Sequence, residues 1–120
     1  MKVEIIIVRE PIIHTALEPL AKAWHGTLVK GVADCKRDVF ALGGEWHMDA
    51  NNVLIADGSA QQDLWGFNVY PKERGESAIE YISLVNIRPS QGNRGMEIED
   101  SAIRENIAAL IHRFLPGLDV

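Results

Sequence analysis

The chain has 120 residues, 47% of them hydrophobic and 24% charged, which is typical of one folded globular domain and excludes a disordered chain. Its formal net charge of −5 makes a nucleic-acid partner unfavourable, and its single cysteine excludes an intrachain disulfide framework and a zinc site of several thiolates. Because no segment has the roughly 20 apolar residues of a membrane span or the form of a signal peptide, we expect a cytoplasmic protein, with residues 1–120 in a single domain and no membrane contact.

A strand and a helix are predicted at the start of the chain. Residues 3–8 form a β-branched run that a proline soon follows, which predicts a buried first strand. Apolar residues then recur at the spacing of one helix face, and they are Ile13, Leu17, Leu20, Ala21 and Trp24. Thr15 and Glu18 have the spacing of a capping box, whereas Pro19 favours a later helix start beside Glu18. Gly26 predicts the end of this helix.

The middle of the chain predicts a hairpin and a short helical turn. Residues 28–35 and 39–49 are extended stretches separated by a charged turn, which is the pattern of an antiparallel hairpin. Residues 43–44, both glycine, predict a bulge or a close backbone approach within the second stretch. Asp49 is then predicted to cap a short helical turn over residues 51–56.

A second hairpin and a final helix complete the predicted elements. Residues 65–70 alternate as a strand. Residues 78–88 form a partner strand with so little alternation that we expect it to be central and covered on both faces. Residues 89–95 form a loop rich in Gly, Ser, Asn and Gln, and the last helix is predicted to begin at Asp100 or Ser101.

These elements predict an α+β fold with the order β-α-β-β-(α)-β-β-α. Hairpins outnumber crossovers, which favours a mainly antiparallel sheet of four to five strands with the N- and C-terminal helices on one face. The opposite face then needs another cover. A second subunit in a homodimer is the simplest candidate, although an open antiparallel sheet can also face water.

Four sequence stretches are specific enough to compare with a known family. They are GGEWH at residues 43–47, DGS at 57–59, LWGFNVYP at 64–71 and NIRPSQGNR at 86–94. Together they resemble the uncharacterised bacterial domain of unknown function family 5674, and the likeness covers most of the chain. The NIRPSQGNR run is the most specific because it is long and rich in infrequent residue types. The resemblance implies no activity, so the candidate site depends on residue chemistry.

His47 and Glu45 are the candidate catalytic residues. Together with Asp49 they alternate along one stretch, so an extended segment would project the three side chains to the same face. An imidazole beside carboxylates can act as an acid–base pair or bind a divalent metal. The other histidines lack metal-ligand spacing, and no metal site is predicted. The alternative is a solvated sheet face with a surface histidine.

A second group of polar residues is predicted to bind the ligand. Guanidinium groups and a glycine-containing turn offer many N–H donors, so this group suits a carboxylate or a phosphate. Its members are Asn68, Asn86, Arg88, Ser90, Gln91, Asn93 and Arg94. His47 would face Arg88 if the two hairpins paired side by side, and both groups would then share one pocket. The alternative is an internal ion pair of Arg88 with Glu45 or Asp57, with the loop only capping the last helix.

Three functions remain open at this point. The leading hypothesis is a binding protein or enzyme for an anionic small molecule, and the alternative is a non-catalytic module for protein interaction or homo-oligomer formation. RNA binding or cleavage is the least favoured because the net charge is negative. No dinucleotide or Walker fingerprint occurs, so the sequence names no cofactor. The three tryptophans are predicted to be core residues, and Cys35 is predicted to be buried and unreactive.

Overall fold

The computed structural model describes residues 4–24 and 26–118 and places five strands in one antiparallel sheet. The strands are β1 (Ile5–Val8), β2 (Val29–Asp34), β3 (Val39–Gly43), β4 (Leu64–Val69) and β5 (Ile79–Glu80). Val3, the predicted start of the first strand, lies outside the described residues. The order across the sheet is β1-β3-β2-β4-β5, so β2 pairs with β4 and the two hairpins lie side by side. The predicted α+β class and antiparallel sheet are confirmed.

Two helices cover one face of the sheet, as predicted. They are α1 (Leu17–Ala21) and α3 (Ser101–Phe114). The Asp100 side chain caps α3 by accepting a hydrogen bond from the Ala102 N–H at 2.8 Å, which explains the confirmed start of this helix. Both helices bury apolar residues against the strands, and this main core includes Leu17, Leu20, Phe40, Phe67, Ile107, Ile111 and Phe114. No helix in the described part of the chain is long and apolar enough to cross a membrane.

The first helical region differs in detail from its prediction. The α-helix is short, and 3-10 segments flank it at His14–Ala16 and Lys22–Trp24. No side chain caps its first residue, so the predicted capping box of Thr15 and Glu18 is wrong. Ile13, predicted to lie on the buried face, is 73% exposed because it precedes the helical segments.

A third helix, α2 (His47–Ala56), covers the opposite face of the sheet. Its Ala50 and Leu54 are fully buried in a second core cluster that also contains Val32 of β2 and Leu64 of β4. The expectation that this face lacks a cover within the chain is therefore wrong. The argument for a homodimer that depended on this expectation loses its basis.

The strand β3 ends at a pair of glycines, earlier than predicted. Gly43 and Gly44 have φ angles of +107° and +88°, a backbone conformation that other residues rarely adopt, and they turn the chain off the sheet. The helix α2 then begins at His47, and the Asp49 carboxylate accepts a hydrogen bond from the Trp46 N–H at 3.1 Å. The prediction of one strand to residue 49 is therefore wrong. Residues two apart on a helix do not share a face, so the predicted alternation of acid–base side chains is lost.

The predicted central strand over residues 78–88 is also wrong. The strand β5 contains only Ile79 and Glu80 and lies at the edge of the sheet. After it the chain forms isolated bridges, which join Ile82 with Glu97 and Arg88 with Asn93. A 3-10 segment at Leu84–Asn86 interrupts the extended backbone. Val85 and Asn86 of this segment are both buried. Its sequence therefore resembles that of a strand covered on both faces, although the segment pairs with no strand.

The three tryptophans and the cysteine differ in how far they are buried. Trp65 is buried as predicted, and Trp24 is half-buried. Trp46 is 61% exposed, so its predicted core position is wrong, because the glycine turn moves it from the sheet to the cap of α2. Cys35 is half-buried rather than fully buried, and burial, with the nearby charge of Asp34, raises the pKa of its thiol to about 12. A thiol with this pKa is a poor nucleophile.

Candidate functional site

A pocket of about 490 Å³ lies beside the first turn of α2, on the sheet face that this helix covers. Its polar lining consists of Lys30, His47, Asn68 and Ser83. Its apolar lining consists of Trp46, Met48, Ile82, Leu84, Val85 and Met96. We call this cavity the His47 pocket. A cavity of this size, mainly apolar with a few convergent polar groups, is typical of a small-molecule site.

Four apolar residues surround the His47 pocket at the protein surface, and we call them the apolar rim. Their exposed fractions are 61% for Trp46, 49% for Met48, 71% for Leu84 and 42% for Met96. Grouped large apolar side chains of this exposure are uncommon on a folded domain and indicate a binding surface. The two thioethers can adapt their shape to an apolar or aromatic group.

His47 stands at the start of α2 and is fixed by the sheet. Its Nε2 atom lies 2.9 Å from the Phe67 carbonyl oxygen. A carbonyl oxygen can only accept, so the ring proton is on Nε2, which donates this hydrogen bond. Burial lowers the pKa of His47, the hydrogen bond to Phe67 partly opposes this shift, and the charge of Lys30 acts in the same direction as burial. His47 is therefore a neutral imidazole at neutral pH.

The lowered pKa of His47 predicts a pH-dependent stability. The unfolded chain binds the proton more readily than the folded one, so the His47 contribution is complete above pH 6.5 and is lost as the pH falls through the lowered pKa. His47→Gln keeps an N–H donor for Phe67 and should remove this part of the pH dependence. Urea denaturation from about pH 5 to about pH 7.5 measures it. The exposed-site control is His112→Gln. The assignment of this pH dependence to His47 would be contradicted if the free energy of unfolding changed with pH equally in the wild type and in His47→Gln, or if the control variant lost as much of that pH dependence as His47→Gln.

Asn68 contributes a buried polar atom without a partner. The residue is 6% exposed, and its Nδ2 donates to the Glu80 carboxylate at 2.9 Å and to the Ile82 carbonyl at 3.3 Å. These two acceptors identify the nitrogen end of the amide, because exchanging the ends would place oxygen against oxygen. The Oδ1 atom has no hydrogen-bond partner within the described residues. A buried acceptor without a donor lowers the stability of the fold by about 1–3 kcal/mol.

Lys30 and Ser83 supply donors to the same pocket. Lys30 is the register partner of Asn68 on the neighbouring strand, so the two side chains are adjacent on one face. Its Nζ atom lies 4.5 Å from the centre of the Trp24 ring, and burial lowers its pKa. The Ser83 hydroxyl oxygen accepts from the Val85 N–H at 3.1 Å, which leaves its own hydrogen to donate.

Of the nine candidate site residues, the structure places two, His47 and Asn68, in this pocket. Glu45 is exposed in the turn before α2 and does not line the His47 pocket. Arg88 lies at the opposite end of β4, where it contacts Leu64. Arg94 is exposed in the loop after it, as is Ser90. The predicted single pocket that unites both groups is therefore wrong.

The Asn86 side chain pairs with the free edge of β4. Its Oδ1 accepts from the Gly66 N–H at 2.7 Å, and its Nδ2 donates to the carbonyl oxygens of Gly66 and Met96, both at 3.0 Å. The residue is fully buried. The amide thus replaces one residue of an adjacent strand, which is a structural role and not a contact with ligand.

Arg88 also binds the protein backbone. Its guanidinium donates to the carbonyl oxygens of Gln61, at 2.7 Å, and of Leu64, and it stacks 3.9 Å from the centre of the Trp65 ring. Burial lowers its pKa. The predicted alternative, an ion pair of Arg88 with Glu45 or Asp57, is therefore wrong, because Arg88 binds carbonyl oxygens and Asp57 instead pairs with Arg9 and Arg37.

Two more residues of the NIRPSQGNR run hold the loop to the domain. The Asn93 Nδ2 donates to the carbonyl oxygens of Asn86, Gly95 and Glu97, and its Oδ1 accepts from the Glu99 N–H at 2.9 Å. The Gln91 Nε2 donates to the Gln62 carbonyl at 3.0 Å. The most specific sequence motif is therefore mainly a set of backbone-binding side chains.

A wider groove of about 1180 Å³ lies between β5 and α3. Its charged lining consists of Glu73, Glu76, Glu80, Glu97, Glu105 and Arg104. This excess of acidic groups repels an anion, and the unpartnered buried polar atoms found in the described residues lie elsewhere. The His47 pocket is therefore the better candidate site, although the groove is larger.

Comparison with known proteins identifies a family and nothing further. The family model described as Protein of unknown function (DUF5674) matches residues 6–114. No curated protein and no solved structure matches the chain. Within residues 4–24 and 26–118, no group of three or more His, Cys, Asp or Glu side chains is arranged to hold a metal ion.

Proposed function

The chain belongs to the family described as Protein of unknown function (DUF5674), and since this membership implies no activity, we propose from the His47 pocket alone that the protein binds a small molecule with an apolar body and an anionic group. The observation that carries the proposal is a cavity in which one cation, Lys30, lies beside the exposed apolar rim. A mainly apolar cavity with a few convergent polar groups is the usual form of a small-molecule site.

The charge environment supports an anionic group. Lys30 is the cation among the described residues that line the His47 pocket. His47 adds no charge because its imidazole is neutral. The Ser83 hydroxyl can donate to the same group. One full positive charge and a few donors suit a single carboxylate better than a doubly charged phosphate.

The apolar rim supports a ligand body of aromatic or aliphatic carbon. Trp46 and Met48 come from the start of α2, while Leu84 and Met96 come from the segment that follows β5. Burying each such side chain against a ligand stabilises the complex by about 1–2 kcal/mol, since only part of its surface leaves water. A compact arylalkyl carboxylate such as 3-phenylpropionate would therefore bind with a Kd of roughly 1 mM or tighter.

Titration calorimetry with 3-phenylpropionate tests this proposal on matched variants. Met48→Asp places a carboxylate in the apolar rim and should weaken binding by about tenfold or more, through lost apolar contact and charge repulsion. The fold should persist because Met48 is exposed and an acidic residue is favourable in the first turn of a helix. Ile55→Asp makes the same kind of change farther along α2, outside the pocket, and should bind like the wild type.

Two results would reject the proposal. One is the lack of saturable heat with the wild type at ligand concentrations of about 10 mM. The other is equal weakening by Met48→Asp and Ile55→Asp, which would place binding outside the His47 pocket.

The apolar rim also favours a second candidate function, an interaction module that receives a side chain of another protein. Exposed Trp, Met and Leu residues around a pocket are typical anchor sites of protein interfaces. A protein partner would depend on the rim residues Met48 and Leu84. It would not depend on Lys30, so Lys30→Met separates this function from binding of a carboxylate.

A further inference from the structure

Lys30 places a primary amine in the wall of the His47 pocket. The residue is half-buried, and its Nζ atom lies 4.5 Å from the centre of the Trp24 ring. The ion pairs within the described part of the chain are made by arginines, so Lys30 has no carboxylate partner there. Lysine side chains usually keep the ammonium group in water or pair it when it is buried. Lys30 therefore differs from an ordinary surface lysine.

The apolar setting of Lys30 favours the free amine. The lining of the His47 pocket is mainly apolar and includes Ile82, Leu84 and Val85. Burial lowers the pKa of Lys30, although the charge of Glu80 partly opposes this shift. At a given pH, a larger fraction of Lys30 is thus unprotonated than of an exposed lysine. The ammonium form can bind a carboxylate, whereas the amine form has a lone pair and is a nucleophile.

A lysine amine in an apolar pocket is suited to attack a carbonyl carbon and form an imine. The protonated imine has the same positive charge as the ammonium group that it replaces. A carboxylate attached to the carbonyl carbon therefore keeps a cation beside it after the reaction. A 2-oxo acid has this arrangement of carbonyl and carboxylate.

We propose, on the basis of the proposed function, that the ligand is a 2-oxo acid with a large apolar side chain and that Lys30 joins it as an imine. The Nζ lone pair bonds to the keto carbon, and the electrons of the C=O bond move to the oxygen. One proton passes from the nitrogen to this oxygen, and a second proton, from solvent, converts the hydroxyl into water. Water leaves as the nitrogen lone pair forms the C=N bond, so no oxidant or reductant takes part.

The other groups of the His47 pocket have matching roles in this complex. The Ser83 hydroxyl can donate to the carboxylate, because its oxygen already accepts from a backbone N–H. The apolar rim contacts the side chain of the 2-oxo acid.

Reductive trapping tests the imine directly. Phenylpyruvate is added with sodium cyanoborohydride, which reduces an imine to a stable secondary amine, and peptide mass mapping locates the modified lysines. Lys30 should be modified about tenfold or more above the exposed Lys22, Lys36 and Lys72, because a bound probe has a high effective concentration beside its amine. An excess of 3-phenylpropionate, which has no keto group, should suppress the modification of Lys30.

Lys30→Arg separates the amine from the charge, because a guanidinium stays protonated and is not a nucleophile. The matched ligand is 3-phenyllactate, which has a hydroxyl in place of the keto group. In the wild type and in the exposed-site control Lys22→Arg, phenylpyruvate should bind about tenfold tighter than 3-phenyllactate, since the imine adds a covalent bond to the same complex. In Lys30→Arg the two ligands should bind alike.

The outcomes separate the two proposals. If 3-phenylpropionate binds but Lys30 is modified no more than the exposed lysines, the proposed function stands and the imine is wrong. If 3-phenylpropionate does not suppress the modification, or if phenylpyruvate and 3-phenyllactate bind the wild type alike, the assignment of a 2-oxo acid is also wrong. If no probe binds and none is trapped, the proposed function fails as well.

Discussion

Replacing Asn86 by leucine is expected to lower the free energy of unfolding by on the order of 3–6 kcal/mol, the largest loss that we predict for a polar side chain of this protein. The change deprives the Gly66 N–H, the Gly66 carbonyl and the Met96 carbonyl of their side-chain partner. Asn86 is fully buried, so water cannot replace it. Each backbone group left without a partner costs about 1–3 kcal/mol.

The matched control for this substitution is Asn52→Leu. Asn52 is an exposed residue of α2, so the same chemical change there should alter stability by less than about 1 kcal/mol. Equilibrium denaturation in urea measures both variants. A loss for Asn86→Leu no larger than that for Asn52→Leu would show that the amide does not hold the edge of β4.

Gly43→Ala is expected to be destabilising for two separable reasons. An added Cβ would lie 2.1 Å from the Glu4 carbonyl oxygen, so β1 would have to move, and the backbone has a φ of +107° that alanine rarely adopts. The strain costs about 1–3 kcal/mol, and overpacking against backbone costs a further 1–3 kcal/mol or so. The total should be about 2–6 kcal/mol.

Gly58→Ala isolates the contribution of the clash. Gly58 has a φ of +109°, almost the same as that of Gly43, but nothing lies within 4 Å of its added Cβ. The difference in unfolding free energy between the two variants should therefore be about 2 kcal/mol, all of it from the contact with β1. Equal losses would mean that β1 moves aside at no cost in free energy. Backbone strain alone would then explain the destabilisation at the turn that leads to the His47 pocket.

Elements with strong local signals were predictable from the sequence. The helix α3 combines a regular apolar period with a capping aspartate, and both features act within a few residues. The hairpin of β2 and β3 likewise follows from two apolar runs around a short charged turn. These local features also sufficed to predict the α+β class and the shared face of α1 and α3.

The predictions of local structure were wrong where a contact with a distant part of the chain determines that structure. Residues 81–88 look like a strand, but the partner of the β4 edge is the Asn86 side chain rather than the backbone. The alternation of Glu45, His47 and Asp49 has the period of a strand, yet two glycines with positive φ release the chain into α2. Glycine can adopt a positive φ, but the sequence alone does not show whether a given glycine does so.

The candidate site was partly predictable. His47 and Asn68 were identified from residue type, but the sequence assigned them to the same pocket as Arg88 and Arg94. Lys30 and the apolar rim were missed, because they join the pocket only through the pairing of β2 with β4 and the approach of residues 82–85 and 96. The arginine and asparagine side chains of the NIRPSQGNR run were misjudged, since donors that bind a ligand and donors that bind a carbonyl look alike in a sequence.

The location of the bound ligand is the most direct test of the central claim, and amide chemical-shift mapping of the isotope-labelled protein with 3-phenylpropionate measures it. We expect saturating shifts concentrated at residues that line the His47 pocket, above all His47, Met48, Ser83 and Leu84. Shifts concentrated instead at Arg88 and Arg94 or in the acidic groove between β5 and α3, or no saturating shifts at about 10 mM ligand, would contradict the claim.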